Sequence, residues 1–238
     1  MKRILVGGLC SLVLNSFLAA EDSGAFLGLS YQYGSVKFKQ DLNMNITTPL
    51  ATTNTPKSIR EKTSMNGAGI KIGYKQFFGQ SKWFGLRYYA FLDYGYSNFG
   101  KKVLPDEDYY VHMLNYGVGL DTLWNLVNTQ NGSFGLFVGV GVGGDTWIAN
   151  GKEYQKKQFP NGKANYTNFQ TLIDAGLRTN FHKHHGFELG VKIPLLQDEI
   201  FKDVNDTLRP NVATTIKENL KTDIQRRYSV YLSYLYTF

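Results

Sequence analysis

Only one cysteine occurs in the chain, Cys10, and it sits inside an apolar run close to the start. Removal of that run leaves no disulfide and no thiol chemistry. A lipoprotein reading fails for the same reason, since Cys10 lies within the run and not after it. No later stretch approaches the ~18 consecutive apolar residues of a membrane helix. Histidine is scarce as well: His182, His184 and His185 crowd one tight turn, and His112 stands alone. Three histidines in one turn cannot converge on a tetrahedral ion without further ligands, and nearby carboxylates are sparse, so no metal is expected. Asp106, Glu107 and Asp108 precede His112, but no serine accompanies it, so no enzyme is expected. Acidic residues number 19 against 26 basic ones, a net charge of +7 that includes Lys2 and Arg3. That surplus is modest and does not point to nucleic acid.

What is abundant is aromatic: 15% of the chain, with 16 tyrosines. The densest stretch is the last, Tyr228–Phe238. Every second residue back from Phe238 is large and apolar: Tyr236, Tyr234, Leu232, Val230, Tyr228. Ser229, Ser233 and Thr237 lie between them, with Tyr231 and Leu235 as exceptions. A period of two over about ten residues is a strand with one apolar face, and of the length a tilted strand needs to cross a bilayer. Outer-membrane barrels end this way, because the final strand closes the ring. Those alternate residues, Tyr228, Val230, Leu232, Tyr234, Tyr236 and Phe238, look like the signal by which barrel proteins reach the outer-membrane assembly machinery.

The start agrees with the end. Lys2 and Arg3 precede an apolar run from Ile4 to Leu18, then Ala19-Ala20 and Glu21-Asp22. This is a secretory leader, residues 1–20, with cleavage expected after Ala20 and one domain over 21–238.

Between them seven further segments alternate. Leu27, Leu29, Tyr31 and Tyr33 oppose Gly28, Ser30, Gln32 and Gly34; Ala68, Ile70, Ile72 and Tyr74 oppose Gly67, Gly69, Lys71 and Lys75. Similar faces appear at Leu86–Tyr94, Leu114–Asp121, Phe134–Gly143, Phe169–Arg178 and Phe187–Ile193. The apolar faces carry no charge, while the other faces are small, amide or charged. Lipid outside and lumen inside is the arrangement that satisfies both. The fold class is therefore all-β, an eight-stranded antiparallel up-and-down transmembrane β-barrel. Connections alternate long and short, the long ones being Phe38–Ser64, Asn98–Tyr110, Ile148–Thr167 and Leu196–Arg226. With both termini periplasmic the long ones face outward. An inner rim of Trp83, Trp124, Phe181, Phe187 and Phe238 then faces an outer rim of Tyr94, Tyr96, Tyr110, Tyr166 and Tyr228.

The blocks GLRYYAFLDYG (Gly85–Gly95), FGLFVGV (Phe134–Val140) and DAGLRTNFHKHHGFELGVKIP (Asp174–Pro194) resemble the Helicobacter outer-membrane protein family. So do the start EDSGAF and the close YLYTF. The resemblance implies kinship with porins and adhesins, whose large members insert an extracellular domain after the first strand. Here Phe38–Ser64 is a loop of about 27 residues, so that adhesin head is absent.

Gly139, Gly141 and Gly144 fit a dinucleotide fingerprint, but no helix follows, and they read better as lumen positions in a narrow barrel. No cofactor is expected. Inward charges are Lys71, Lys75, Arg87, Arg178 and Lys192 against Asp93, Asp121, Asp174 and Glu188. Near-balance points to pairing, for example Arg87 with Asp93, and eight strands leave room only for side chains. Two functions follow: a plugged surface protein whose loops serve interaction, adhesion or envelope integrity, or a small-solute porin. The loop Ile148–Thr167 carries Lys152, Lys156, Lys157 and Lys163 against Glu153, a basic loop suited to lipopolysaccharide phosphates or anionic host glycans. Partners expected are thus outer-membrane lipid and lipopolysaccharide, the assembly machinery, and host surface glycans or proteins. Thr215 and Glu218 resemble a capping box and predict a short surface helix near Ile216–Leu220.

Overall fold

The computed structural model describes residues 21–238, except 105, 130, 152–154, 156, 158, 160 and 212. The expected leader therefore lies outside the described residues. Ten strands follow in order: β1 (Gly24–Thr47), β2 (Thr52–Phe78), β3 (Phe84–Asn98), β4 (Tyr110–Asn128), β5 (Gly132–Ala149), β6 (Lys163–Ala164), β7 (Thr167–Phe181), β8 (His185–Pro194), β9 (Asp198–Asn211) and β10 (Thr214–Thr237). Eight form a closed antiparallel ring, β1-β2-β3-β4-β5-β7-β8-β10, with β10 paired back onto β1 from Phe26↔Thr237 to Thr47↔Thr215. Strand β9 adds to the outer half of β10, and β6 adds to β9.

Alternation decides the two surfaces. In β3, Arg87, Tyr89, Phe91 and Asp93 are buried while Tyr88, Leu92 and Tyr94 are exposed. The exposed side is apolar all round the ring: Ile72 is 60% exposed, Val118 57% and Leu232 58%. A continuous apolar band of this kind is stable against hydrocarbon and unstable against water.

Aromatic rings bound the band. At the inner end Trp83 and Phe84 pack on Trp124 at 5.5 and 4.9 Å, and Tyr236 meets Phe238 at 5.2 Å. The β7–β8 turn there takes positive φ at His182 (49°) and Lys183 (68°), in keeping with the twist of a tight hairpin. His184 Nδ1 donates to the Thr237 carbonyl at 2.7 Å, so the histidine turn staples the last strand. At the outer end Tyr94, Tyr96 and Tyr110 surround His112, whose Nδ1 lies 2.7 Å from the Tyr94 hydroxyl. Tyr166 is a correction to the expected outer rim: it is half-buried and packs on the core inside the barrel mouth.

The long connections are also corrected. Phe38–Ser64 is mostly a hairpin, β1 and β2 running on to a turn at residues 48–51. Leu196–Arg226 is likewise strand, and the helix expected near Ile216–Leu220 is part of β10, where Ile216 pairs with Ile46 and Leu220 with Leu42. A bilayer takes about 9–11 residues of a strand. At 24, 27 and 24 residues, β1, β2 and β10 therefore carry about half their length beyond it. Inside this outer section Val36, Phe38, Met65, Phe99, Tyr109, Met113, Trp147, Ile200 and Ile224 form a buried apolar core. That core lies within the outer section of the barrel.

Candidate functional site

All nine charges expected in the lumen are buried there, and the structure pairs them in layers. Nearest the inner end, Glu21 accepts from Lys75 Nζ at 2.5 Å and from Arg178, while Arg178 Nη1 also donates to Asn125 at 2.9 Å. In the middle layer Arg87 donates to Asp121 through Nε (2.9 Å) and Nη2 (2.6 Å) and to Glu188. Lys71 Nζ lies 2.8 Å from Asp174, whose other oxygen accepts from the Tyr231 hydroxyl at 2.7 Å. Next outward, Lys192 Nζ and Gln32 Nε2 both donate to Asp93, at 2.5 and 2.6 Å. The expected pairing of Arg87 with Asp93 is thus corrected: Asp93 serves Lys192. Arg87 and Asp121 are direct cross-strand neighbours, but Asp93 and Lys192 meet across the lumen, which inward side chains can span.

Three of these bonds join opposite walls. In the ring of eight, β2 faces β7, β3 faces β8 and β4 faces β10. Lys71–Asp174 spans β2 to β7; Lys192–Asp93 and Arg87–Glu188 span β8 and β3. Arg226 Nη2 donates to Asn115 at 2.9 Å, from β10 to β4. Rings fill the space between: Lys71 stands 4.9 and 4.8 Å from the ring centres of Tyr89 and Tyr231, and Arg87 5.1 Å from that of Phe137. Glycines make this possible. A Cβ at Gly119 would come within 2.4 Å of the Tyr89 ring, and one at Gly190 within 2.5 Å of Tyr231. Tyr231 and Leu235, which broke the alternation in sequence, are therefore inward fillers.

Above the last ion pair lies a layer without a symmetrical partner set. Asp145 accepts from Gln170 at 3.3 Å, and Asp198 accepts from the Trp147 indole at 2.7 Å. Burial, and next the neighbouring charge of Asp145, push the Asp198 carboxyl in the outer section up to about 7. Sequence reasoning put Gln32 and Asn115 on the inward face without partners, and missed Glu21, Asp145, Asp198 and Arg226. Glu21 stands before the first alternating residue, and Asp198 and Arg226 fell in a presumed loop.

The residues of the proposed assembly signal all face outward: Tyr228, Val230, Leu232, Tyr234 and Tyr236 are 37–58% exposed and Phe238 73%. Of the basic loop, Lys157 and Lys163 are exposed, Lys163 pairing in register with Lys202; Lys152 and Lys156 lie outside the described residues. His112 bonds Tyr94 on the outward surface and touches none of the lumen groups described above.

Solved structures with similar courses include the outer membrane protein OprG of Pseudomonas aeruginosa, at 14% identity and a TM-score of 0.45, covering 94% of this chain and all of that one. Ail of Yersinia pestis has 10% identity and a TM-score of 0.29 over 84% of this chain and 98% of its own. The neisserial surface protein NspA has 12% identity and a TM-score of 0.30 over 87% and 99%. No curated protein matches the sequence. The family model of the Helicobacter outer membrane proteins matches residues 69–238, from the membrane half of β2 through the last strand, and the chain belongs to that family and to the outer membrane.

Proposed function

We propose that this protein is a closed surface platform: a barrel that anchors a tall extracellular β-extension for contact with lipopolysaccharide and host glycans or proteins, and does not conduct or catalyse. The single observation behind this reading is the set of ion pairs joining opposite walls at successive heights, capped by the apolar core around Phe38 and Trp147. Eight strands enclose space for side chains and little else, and each cross-lumen pair occupies that space. Exposed Lys157 and Lys163 support an anionic partner at the outer end, and the secretory leader at residues 1–20 fits the export route. Planar-bilayer recordings of the purified protein test the reading: no steady conductance is expected. Steady currents that scale with salt would overturn it and establish the porin.

A further inference from the structure

Four cations face one another on the outward surface where β1 and β2 leave the bilayer. Lys37 stands directly opposite Lys62, and Lys39 directly opposite Arg60. Val36 and Phe38 on the alternate positions are fully buried, so these lysines lie on the face continuous with Tyr31 and Tyr33. Like charges in direct cross-strand register destabilise a sheet. Lys39 is compensated by Asp41 at 2.5 Å, but Lys37 and Lys62 make no ion pair among the described residues.

The neighbouring strand adds to the same spot. Register between β1 and β10 slips between Ser35 and Val36, which pair with Tyr228 and Arg226, leaving Arg227 as the extra residue. Arg226 is fully buried on the lumen side, and Arg227 and Tyr228 are both exposed. A bulge re-aims side chains in this way. It also opens a groove of about 210 Å³ lined by Tyr33, Ser35, Lys62, Thr63, Ser64 and Tyr228. Tyr33, Ser35, Ser64 and Tyr228 bring four outward hydroxyls beside the Lys62 ammonium, a donor set suited to a phosphate, while the Thr63 hydroxyl is on the other face and donates to the Asn98 carbonyl.

Height identifies the source of the phosphate. Tyr33 pairs with Asn66, which pairs with Tyr96, so the groove floor sits on the same rung as the outer tyrosine rim. Lys37 lies four residues further out, roughly 13 Å along the strand, and lysine stems bend back toward an interface. This is the level of lipid headgroups. We propose that Lys37, Lys62 and Arg227, with the groove hydroxyls, bind a phosphate carried by a glycolipid of the outer leaflet. The site rests on the lipid contact in the functional reading and not on whether the lumen conducts.

The probe is phosphorylated lipid A and its dephosphorylated form, each offered to the folded full-length protein in detergent and quantified by native mass spectrometry. The parent should retain the phosphorylated form at least tenfold better, and the Lys62→Gln/Arg227→Gln double variant should lose that preference while melting like the parent. Lys101→Gln/Lys102→Gln, on the adjacent connection, should keep it. Equal retention of both lipids by the parent, an unchanged preference in the double variant, or equal occupancy by inorganic phosphate alone would overturn the site. Conductance measured on the same preparation separates the two claims: a conducting parent with an intact phosphate preference sinks the platform and leaves the lipid site standing.

Discussion

Lys192 of β8 reaches across the lumen to Asp93 of β3, with its Nζ 2.5 Å from Oδ2 and both side chains at most 2% exposed. The pair ties strands that stand opposite in the ring, so its loss acts on the whole cross-section. Removing one partner of a buried pair leaves an uncompensated charge, which typically costs about 3–5 kcal/mol. Asp93→Ala should therefore lower barrel stability by that order, read as the urea midpoint of unfolding from detergent. Arg87 keeps Asp121 and Glu188 in that variant, so the Arg87 layer should stay intact. An unchanged midpoint would show that the Lys192–Asp93 contact is not held in the membrane.

Asp198 gives a pH signature of unusual sign. Its carboxyl is raised from 3.8 to about 7 in the folded protein, by burial first and by Asp145 next. Between those values the folded state holds a proton that the unfolded state releases. Stability from this group is therefore fully present below about pH 4 and is lost as pH rises toward 7, by at most about 1.4 kcal/mol per unit. The melting temperature should rise on going from pH 7.5 to 5.5, and Asp198→Asn should remove that rise. A variant whose melting follows pH as the parent's does would assign the effect elsewhere.

The last strand tests the assignment of faces. Leu232 is 58% exposed on the lipid side, on one rung with Tyr31 and Leu189. Leu232→Arg should cost about 2–4 kcal/mol, the range for arginine near the bilayer midplane. Ser233 is 3% exposed and pairs in register with Ser30 and Glu188, so Ser233→Arg should hurt by crowding the lumen. Equal tolerance of both substitutions in heat-modifiability gels would contradict the register.

Phe238 is 73% exposed, yet its amide donates to the Ala25 carbonyl at 3.0 Å. Its ring makes one described contact, with Tyr236, so its deletion removes little packing from the finished barrel. Deleting Phe238 should instead lower the amount assembled in the outer membrane, with the surviving fraction melting near the parent. Equal assembly of the deletion and the parent would free Phe238 of that role.

Period-two alternation in the sequence determined the ring of eight, the lipid face and the inward set from Lys71 to Lys192, because hydrocarbon outside and polarity inside give successive residues opposite environments. The same signal fails where strands leave the bilayer. Above Tyr33 the outward face passes from hydrocarbon to headgroups and then water, so Val36–Thr47 and Thr214–Arg227 carry mixed polar residues that read as loop or, at Thr215–Glu218, as a helix start. Partner choice was equally out of reach. Side chains in a narrow lumen meet across it, so Asp93 belongs to Lys192 rather than Arg87, and Glu21 joins from a segment with no alternation at all. Only ring closure brings β2 to face β7 and β3 to face β8, and distance across that ring is a property of the tertiary structure alone.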